Sequence, residues 1–190
     1  MLKKRIAGAS FAAIAAAMVI GGTGAYFTTS EQAHNVITTG GVDIELIEVT
    51  DKQDGEGNPV PFANVTDAMP GDVISKIPMV KNTESQSVWA RVKVIVSAKD
   101  AEGKDITLPE DILSVDYNTE SWEKGADGFW YYKTAVGGGE TSAPLFEHVT
   151  IDKAMGNGYQ GIEIHVDLDA QAVQTANNGS TAAEAAGWPL

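Results

Sequence analysis

The stretch Val88-Trp-Ala-Arg-Val-Lys-Val-Ile-Val-Ser-Ala98 decides the fold class of this chain. Small and branched apolar residues occupy every second position, and Arg91 and Lys93 stand between them. Side chains of a β-strand alternate between two faces, so this pattern predicts a strand with one apolar face. The stretches Val42–Glu48 and Gly161–Leu168 show the same alternation and predict two more strands.

Weaker alternation predicts four further strands, at Val73–Val80, Leu113–Tyr117, Phe129–Thr134 and Leu145–Ile151. Clusters of Gly, Pro, Asn and Asp separate the strands and are typical of turns. Helical signal is limited to one turn each at Pro109–Leu113 and Thr181–Ala186. A parallel sheet would need long crossover helices. We therefore predict an all-β protein, an antiparallel β-sandwich of jelly-roll type with one or two short helical turns.

The charge balance excludes several classes of function. The 190 residues include 13 basic and 26 acidic ones, for a net charge of −13, and no cysteine. A nucleic-acid partner is not expected, because phosphate groups favour a basic protein surface. The lack of cysteine excludes disulfides, thiol catalysis and metal sites built on thiolates.

The N-terminus has the layout of a signal peptide. Basic residues at positions 3–5 precede an apolar run, Ile6–Ile20, and small residues follow as far as Ala25. A membrane-spanning helix needs roughly 20 apolar residues, so an uncleaved anchor is the less favoured alternative. We predict cleavage between Ala25 and Tyr26 and a secreted protein of the extracellular matrix or cell surface. Residues 1–25 hold three basic and no acidic residues, so the mature chain would have 165 residues and a net charge of −16.

The mature N-terminus, residues 26–41, is extended in character and has neither a helical period nor a cap. Its candidate contact residues are apolar or small: Tyr26, Phe27, Ala33, Val36 and Ile37. A terminal strand gains little by ordering alone, but it can pair with an exposed sheet edge. We interpret the segment as a candidate donor strand for a neighbouring subunit. An edge strand of its own domain, or disorder, is the alternative.

The search for catalytic or metal-binding chemistry yields one weak candidate. The loop 51–58 offers oxygen ligands of the kind that calcium prefers, from Asp51, Asp54, Glu56 and Asn58. It lacks the spacing of an EF-hand, and a polar hairpin loop is the favoured interpretation. The histidines His34, His148 and His165 are far apart and form no HExxH motif, and the last two are interpreted as solvated. No catalytic residue and no cofactor other than this calcium ion is predicted.

The run Phe129-Trp-Tyr-Tyr132 is rich in aromatic side chains. Alternation places two of them in a core, and we expect the other two to lie in a covered groove. A monomeric surface adhesin that binds through exposed aromatics, with Trp122 among them, is an alternative function.

Several weak motifs in a fixed order resemble a known family. These are Gly21-Gly-Thr-Gly-Ala25, Tyr26-Phe27, Ile37–Leu46, Met69-Pro-Gly-Asp72, Val80-Lys-Asn82 before Val88–Val94, and the tail from Ala172 to Trp188. Together they resemble the TasA/camelysin family of exported proteins, which a SipW-type signal peptidase processes.

The resemblance implies a jelly-roll domain over residues 42–190. It also implies assembly with copies of itself into fibres of the biofilm matrix by donor-strand complementation, with a minor anchoring subunit as a further candidate partner. Camelysin-like members are labelled as cell-surface metalloproteases, so a protease is the second alternative function. No metal-ligand motif of this sequence matches that label.

Overall fold

The computed structural model describes residues 42–109, 111–156, 159 and 161–189. The predicted signal peptide, its cleavage site at Ala25 and Tyr26, and the candidate donor strand lie outside these residues. In the described part, no helix is both long enough and apolar enough to cross a membrane.

The described residues form eleven β-strands and one short 3-10 helix, so the described part of the chain is all-β. The strands are β1 (Ile44–Gln53), β2 (Pro59–Pro61), β3 (Val73–Ser75), β4 (Ile77–Asn82), β5 (Val88–Lys99), β6 (Asp105–Ile106), β7 (Leu113–Val115), β8 (Trp122–Lys124), β9 (Phe129–Tyr132), β10 (His148–Ile151) and β11 (Glu163–Gln174). The 3-10 helix spans Ala182–Glu184.

The strands pair antiparallel in three sheets. Their orders are β2-β1-β4, β3-β10-β7 and β11-β5-β9-β8, and β6 pairs with one end of β5. The longest ladder joins β5 to β11, from Glu163 opposite Lys99 to Gln174 opposite Val88. Both strands are twelve residues long. This ladder fixes the register of the largest sheet.

The three sheets contribute to one main core. Its buried side chains include Ile44 from β1, Val80 from β4, Val92 from β5, Val149 from β10 and Leu168 from β11. Full burial of an aliphatic side chain of this kind stabilises the fold by about 1.5–3 kcal/mol. A second cluster, which includes Ile151 and Ile164, extends the core toward the other end of β11.

Predicted faces of the strong strands are confirmed on the core side. The residues Ile162, Ile164, Val166 and Leu168 are all buried, as their alternation predicts. The exception is Val96 in β5, which is 46% exposed although it lies on the predicted inner face. On one side of β5, pairing with β9 ends at Lys93 and pairing with β6 begins at Ala98. Val96 lies in the interval between them, where no described strand pairs with β5 on that side.

The first part of the outer face of β5, at Trp89 and Arg91, is also buried, which the sequence did not predict. Arg91 was expected to point toward solvent, but it is only 7% exposed. Residues 175–189, called the C-terminal strap here, fold back over this face. Trp188 and the buried Ala182 and Ala185 of the strap cover Trp89 and residues of β9 and β11.

The predicted strand Val73–Val80 is two strands in different sheets. Strand β3 pairs with β10, and β4 pairs with β1, so the chain changes sheets at the buried Lys76. Each of the two strands has one covered face, so the apolar alternation continues from β3 into β4. The sequence pattern therefore does not reveal that the chain changes sheets.

One of the two predicted helical turns is present. Thr181 caps the 3-10 helix Ala182–Glu184 by accepting a hydrogen bond from the backbone N–H of Glu184. The described residues of Pro109–Leu113 form a turn instead, closed by a hydrogen bond from Ile112 N–H to the carbonyl of Pro109. Strand β7 then begins at Leu113.

Asn178 fastens the C-terminal strap. Its side-chain amide donates to the carbonyls of Gln174 and Ala186, and its side-chain oxygen accepts from Ala186 N–H at 2.8 Å. The Trp89 indole donates to the backbone carbonyl of Asn178. The strap is thus tied both to the end of β11 and to β5.

We predict that Asn178→Asp lowers the free energy of unfolding by about 1–2 kcal/mol. The change removes both amide donors and places a carboxylate beside two carbonyl oxygens. Asn177→Asp is the matched control. Asn177 is exposed, with a φ of 57° that aspartate also adopts, and the control is expected within about 0.5 kcal/mol of the wild type. Equal urea midpoints for the two variants would contradict this role of Asn178.

Candidate functional site

The feature best suited to an interaction is the edge strand β11. It ends the order β11-β5-β9-β8, so among the described strands it has one neighbour, β5. Its inward side chains Ile164, Val166 and Leu168 are buried, at no more than 5% exposed. A long edge strand with a buried inner face is a template for main-chain pairing with another extended segment.

An apolar cavity lies beneath the first half of β11. Ile164 and Val166 of β11 form one wall, and Ile74, Val149 and Leu113 come from the sheet β3-β10-β7. Phe62 closes the cavity from the loop after β2. The interior under this part of the edge is therefore lined mainly by aliphatic and aromatic side chains from two sheets, with Lys76 beside them.

The candidate assembly residues Tyr26, Phe27, Ala33, Val36 and Ile37 lie outside the described residues. Their assignment stays a prediction. The position of β11 at the end of its sheet was missed from the sequence, because alternation reports which face is buried and does not report strand order.

The loop 51–58 forms a tight hairpin turn around Asp54. The Asp54 carboxylate accepts hydrogen bonds from the backbone N–H groups of Glu56, at 2.8 Å, and Asn58, at 2.9 Å. Hydrogen bonds from the backbone and side-chain amides of Asn58, and from Glu56, lower the pKa of Asp54. Its negative charge therefore stabilises the turn in the absence of any ion.

Of the other calcium candidates, Glu56 and Asn58 share this network, and Asp51 has a different partner. The backbone N–H of Asp51 donates to the Ser75 hydroxyl at 2.8 Å, which ties β1 to β3. The side-chain amide of Asn58 also donates to Asp54. The geometry thus accounts for Asp54 and Asn58 as turn-forming residues, and the calcium site of Asp51, Asp54, Glu56 and Asn58 stays a prediction.

The two described histidines have different surroundings. His148 Nδ1 lies 2.8 Å from Asp116 Oδ2, and Asp116 Oδ1 accepts from the backbone N–H groups of Glu147 and His148. Partial burial raises the pKa of Asp116, but the hydrogen bonds from His148 and Glu147 outweigh it, and the net pKa is lowered. His148 thus helps to join β10 to the chain after β7.

His165 departs from its predicted solvated position. It lies on β11, its side chain is only 13% exposed, and its Nε2 atom is 3.4 Å from Glu163 Oε1. This arrangement brings together one imidazole and one carboxylate. His34 lies outside the described residues.

A metalloprotease needs at least three protein ligands around its metal ion. In the ranges that the structure describes, no group of three or more His, Asp or Glu side chains is placed to hold one. The pairs of His148 with Asp116 and of His165 with Glu163 each supply two. The described residues therefore do not fit a catalytic metal centre, and no catalytic step follows from them.

The aromatic run is covered on both faces, as expected. Trp130 packs in the main core and stacks on Tyr117, with ring centroids 4.2 Å apart. Phe129 and Tyr131 face the C-terminal strap. Trp122 is 1% exposed. Trp122, Trp130 and Tyr131 are therefore not available as exposed contact residues, and the adhesin function stays a prediction without them.

Sequence reasoning missed the cluster around Arg91. The guanidinium lies 3.9 Å from the ring centroid of Phe129 and 4.6 Å from that of Trp188. It donates to the side chains of Gln171, Asp127 and Tyr131. The cation is satisfied within the fold and holds the strap against β9, so we assign it a structural role.

We predict that Asp116→Asn destabilises the protein at neutral pH and has no such effect in acid. The folded-state pKa of Asp116 lies below its ordinary value of 3.8, so the carboxylate stabilises the folded state above that pH. The contribution is lost as the pH falls through the lowered pKa. Unfolding curves of the variant and wild type at several pH values should converge below 3.8. Asp111→Asn is the control, because it replaces an exposed carboxylate five positions earlier in the chain. The difference in stability between this variant and the wild type should be the same in acid as at neutral pH.

Comparisons with known proteins identify the family. The family model described as camelysin metallo-endopeptidase matches residues 1–108. No curated protein and no solved structure matches the chain. The match covers more than half of the 190 residues, including the N-terminal region and β1 through β6. The chain belongs to the TasA/camelysin family.

Proposed function

We propose that this protein is a secreted structural subunit of extracellular fibres, in a biofilm matrix or on the cell surface. Each subunit is a jelly-roll domain that donates its mature N-terminal strand, residues 26–41, to the next subunit. The observation that carries the proposal is the position of β11, a twelve-residue strand at the end of the largest sheet. Family membership and the all-β fold support the same role.

Strand addition to β11 is favourable for two reasons. The inner face of β11 is already packed in the core, so an incoming strand pairs with a rigid template instead of ordering a mobile one. Main-chain hydrogen bonds then supply affinity, and alternate side chains supply specificity. Donation from one subunit to the next is a head-to-tail contact that does not close on itself, so it produces a filament.

An exposed edge of this length would otherwise favour uncontrolled association. The outward side chains of β11 include Glu163, His165 and Asp169, which are polar and face away from the core. Charge on this face disfavours stacking of one sheet upon another, yet it leaves main-chain pairing in the plane of the sheet available. The edge thus suits an ordered partner strand.

Export would set the time of assembly. In this proposal a SipW-type signal peptidase cuts between Ala25 and Tyr26 and frees the donor strand only outside the cell. Copies of the same chain are the main partners, and a minor anchoring subunit is a further candidate. No nucleic acid takes part, in keeping with the net charge of −13.

The family description gives reason to test a second function, a metallo-endopeptidase. If the purified protein cleaves casein and chelators abolish this cleavage, the result would favour the protease function over the fibre. The described residues supply no three-ligand group for such activity, so we propose a role without catalysis.

We predict that deletion of residues 26–40 abolishes filament formation and leaves a folded monomer. The missing segment would supply the donor strand, whereas the described strands all begin after it. Negative-stain electron microscopy and sedimentation at raised protein concentration measure assembly, and circular dichroism verifies the fold.

Ile37→Asp and Asn35→Asp form a matched pair within this segment. Both add one negative charge, but only the first removes an apolar side chain from the donor strand. We expect the first variant to assemble poorly and the second to assemble like the wild type. Filaments formed by the deletion variant would overturn the donor-strand proposal.

We predict that salt, low pH or divalent cations promote assembly. A mature subunit of net charge −16 repels its copies, and salt screens exposed charges beyond about 8 Å under physiological conditions. Light scattering against ionic strength at constant protein concentration measures the effect. Faster polymerisation in low-salt buffer at neutral pH would contradict the argument from charge.

A further inference from the structure

Lys76 and Glu48 form a buried pair that the proposed function does not use. Their side chains are 3% and 11% exposed, and Lys76 Nζ contacts Glu48 Oε2. The two residues are 28 positions apart in the chain. Lys76 stands where the chain passes from β3 to β4, and Glu48 lies on β1 opposite Pro78.

The surroundings of the pair are apolar. Lys76 lines the cavity beneath β11 together with Ile74, Val149 and Ile164. Its Nζ atom lies 4.1 Å from the ring centroid of Phe62. Removing an ammonium and a carboxylate from water costs free energy for each ion, even after the protein relaxes.

We propose that Lys76 and Glu48 are joined by an intramolecular isopeptide bond. The Lys76 Nζ atom attacks the Glu48 side-chain carbonyl carbon, and the new N–C bond replaces a C–O bond. Two protons of the ammonium leave with the departing oxygen as water. One hydrogen stays on the amide nitrogen, so charge and atoms balance and no oxidant or cofactor is needed.

Burial favours the amide over the separate ions. In water, solvation of the ammonium and the carboxylate supports hydrolysis of an amide, and this pair has lost that solvation. The folded chain also holds the two groups in contact, which gives them the high effective concentration of an intramolecular reaction. The released water leaves to the solvent, where it is diluted.

The bond would act where a disulfide acts in other exported proteins. The chain has no cysteine. A covalent link between positions 48 and 76 closes a loop, and it removes conformational freedom from the unfolded chain. It would tie β1 to the point where the chain changes sheets, next to the cavity under the edge strand.

Intact-mass spectrometry of the purified full chain tests the bond. The expected mass is that of the sequence, with its observed N-terminus, less one water molecule. Lys76→Arg should have its full sequence mass. Lys81→Arg is the matched control, because Lys81 of β4 pairs with Glu45 of β1 but is exposed, and this variant should still lack one water.

Trypsin digestion locates the link without any variant. A branched peptide should join the fragment that contains Glu48 to the fragment that contains Lys76. Cleavage after Lys76 should be absent, whereas cleavage after Lys81 proceeds. An unmodified wild-type mass together with normal cleavage after Lys76 would overturn the proposal and leave a buried ion pair.

Discussion

The ladder between β5 and β11 is the constraint on which the rest of the structure depends. Its twelve pairs set the register of the largest sheet, and that register puts Val92 and Leu168 into the core while Arg91 and Gln171 point the other way. Because side chains alternate, a slip of one residue would exchange the two faces. The main core and the C-terminal strap would then lose their contacts together. One set of backbone hydrogen bonds therefore governs both the interior of the protein and its outer aromatic layer.

The sequence predicts the parts of the fold that follow from alternation and turn chemistry. The strands at Val88–Ala98 and Gly161–Leu168, and the helical turn within Thr181–Ala186, are confirmed because each depends on local pattern. Alternation is lost where both faces of a strand are covered. The predicted strand therefore stops at Leu168, whereas β11 continues to Gln174 beneath the strap. It also fails at Lys76, because a change of sheet leaves the period intact. Very short strands such as β6 depend on a neighbour that local sequence does not specify.

The candidate site was only partly visible in the sequence. The turn around Asp54 could be expected, because aspartate followed by glycine commonly accepts nearby backbone N–H groups. The pair of Lys76 and Glu48 could not, because residues 28 positions apart meet only through the pairing of β1 with β4. The cluster at Arg91 likewise brings in Trp188 from the far end of the chain. The edge position of β11 is a property of the whole sheet and has no local signal.

The four tryptophans are unevenly placed, and this affects how the protein reports its own unfolding. Trp89, Trp122 and Trp130 belong to the sheet β11-β5-β9-β8, and Trp188 lies in the strap on its outer face. The sheet β2-β1-β4 contains none. Intrinsic tryptophan fluorescence thus reports on the sheet β11-β5-β9-β8 and its strap. Fraying of the hairpin β1–β2 would hardly change this fluorescence. A difference between the fluorescence and far-ultraviolet circular dichroism transitions would reveal that the sheet β2-β1-β4 unfolds at a different point from the sheet β11-β5-β9-β8.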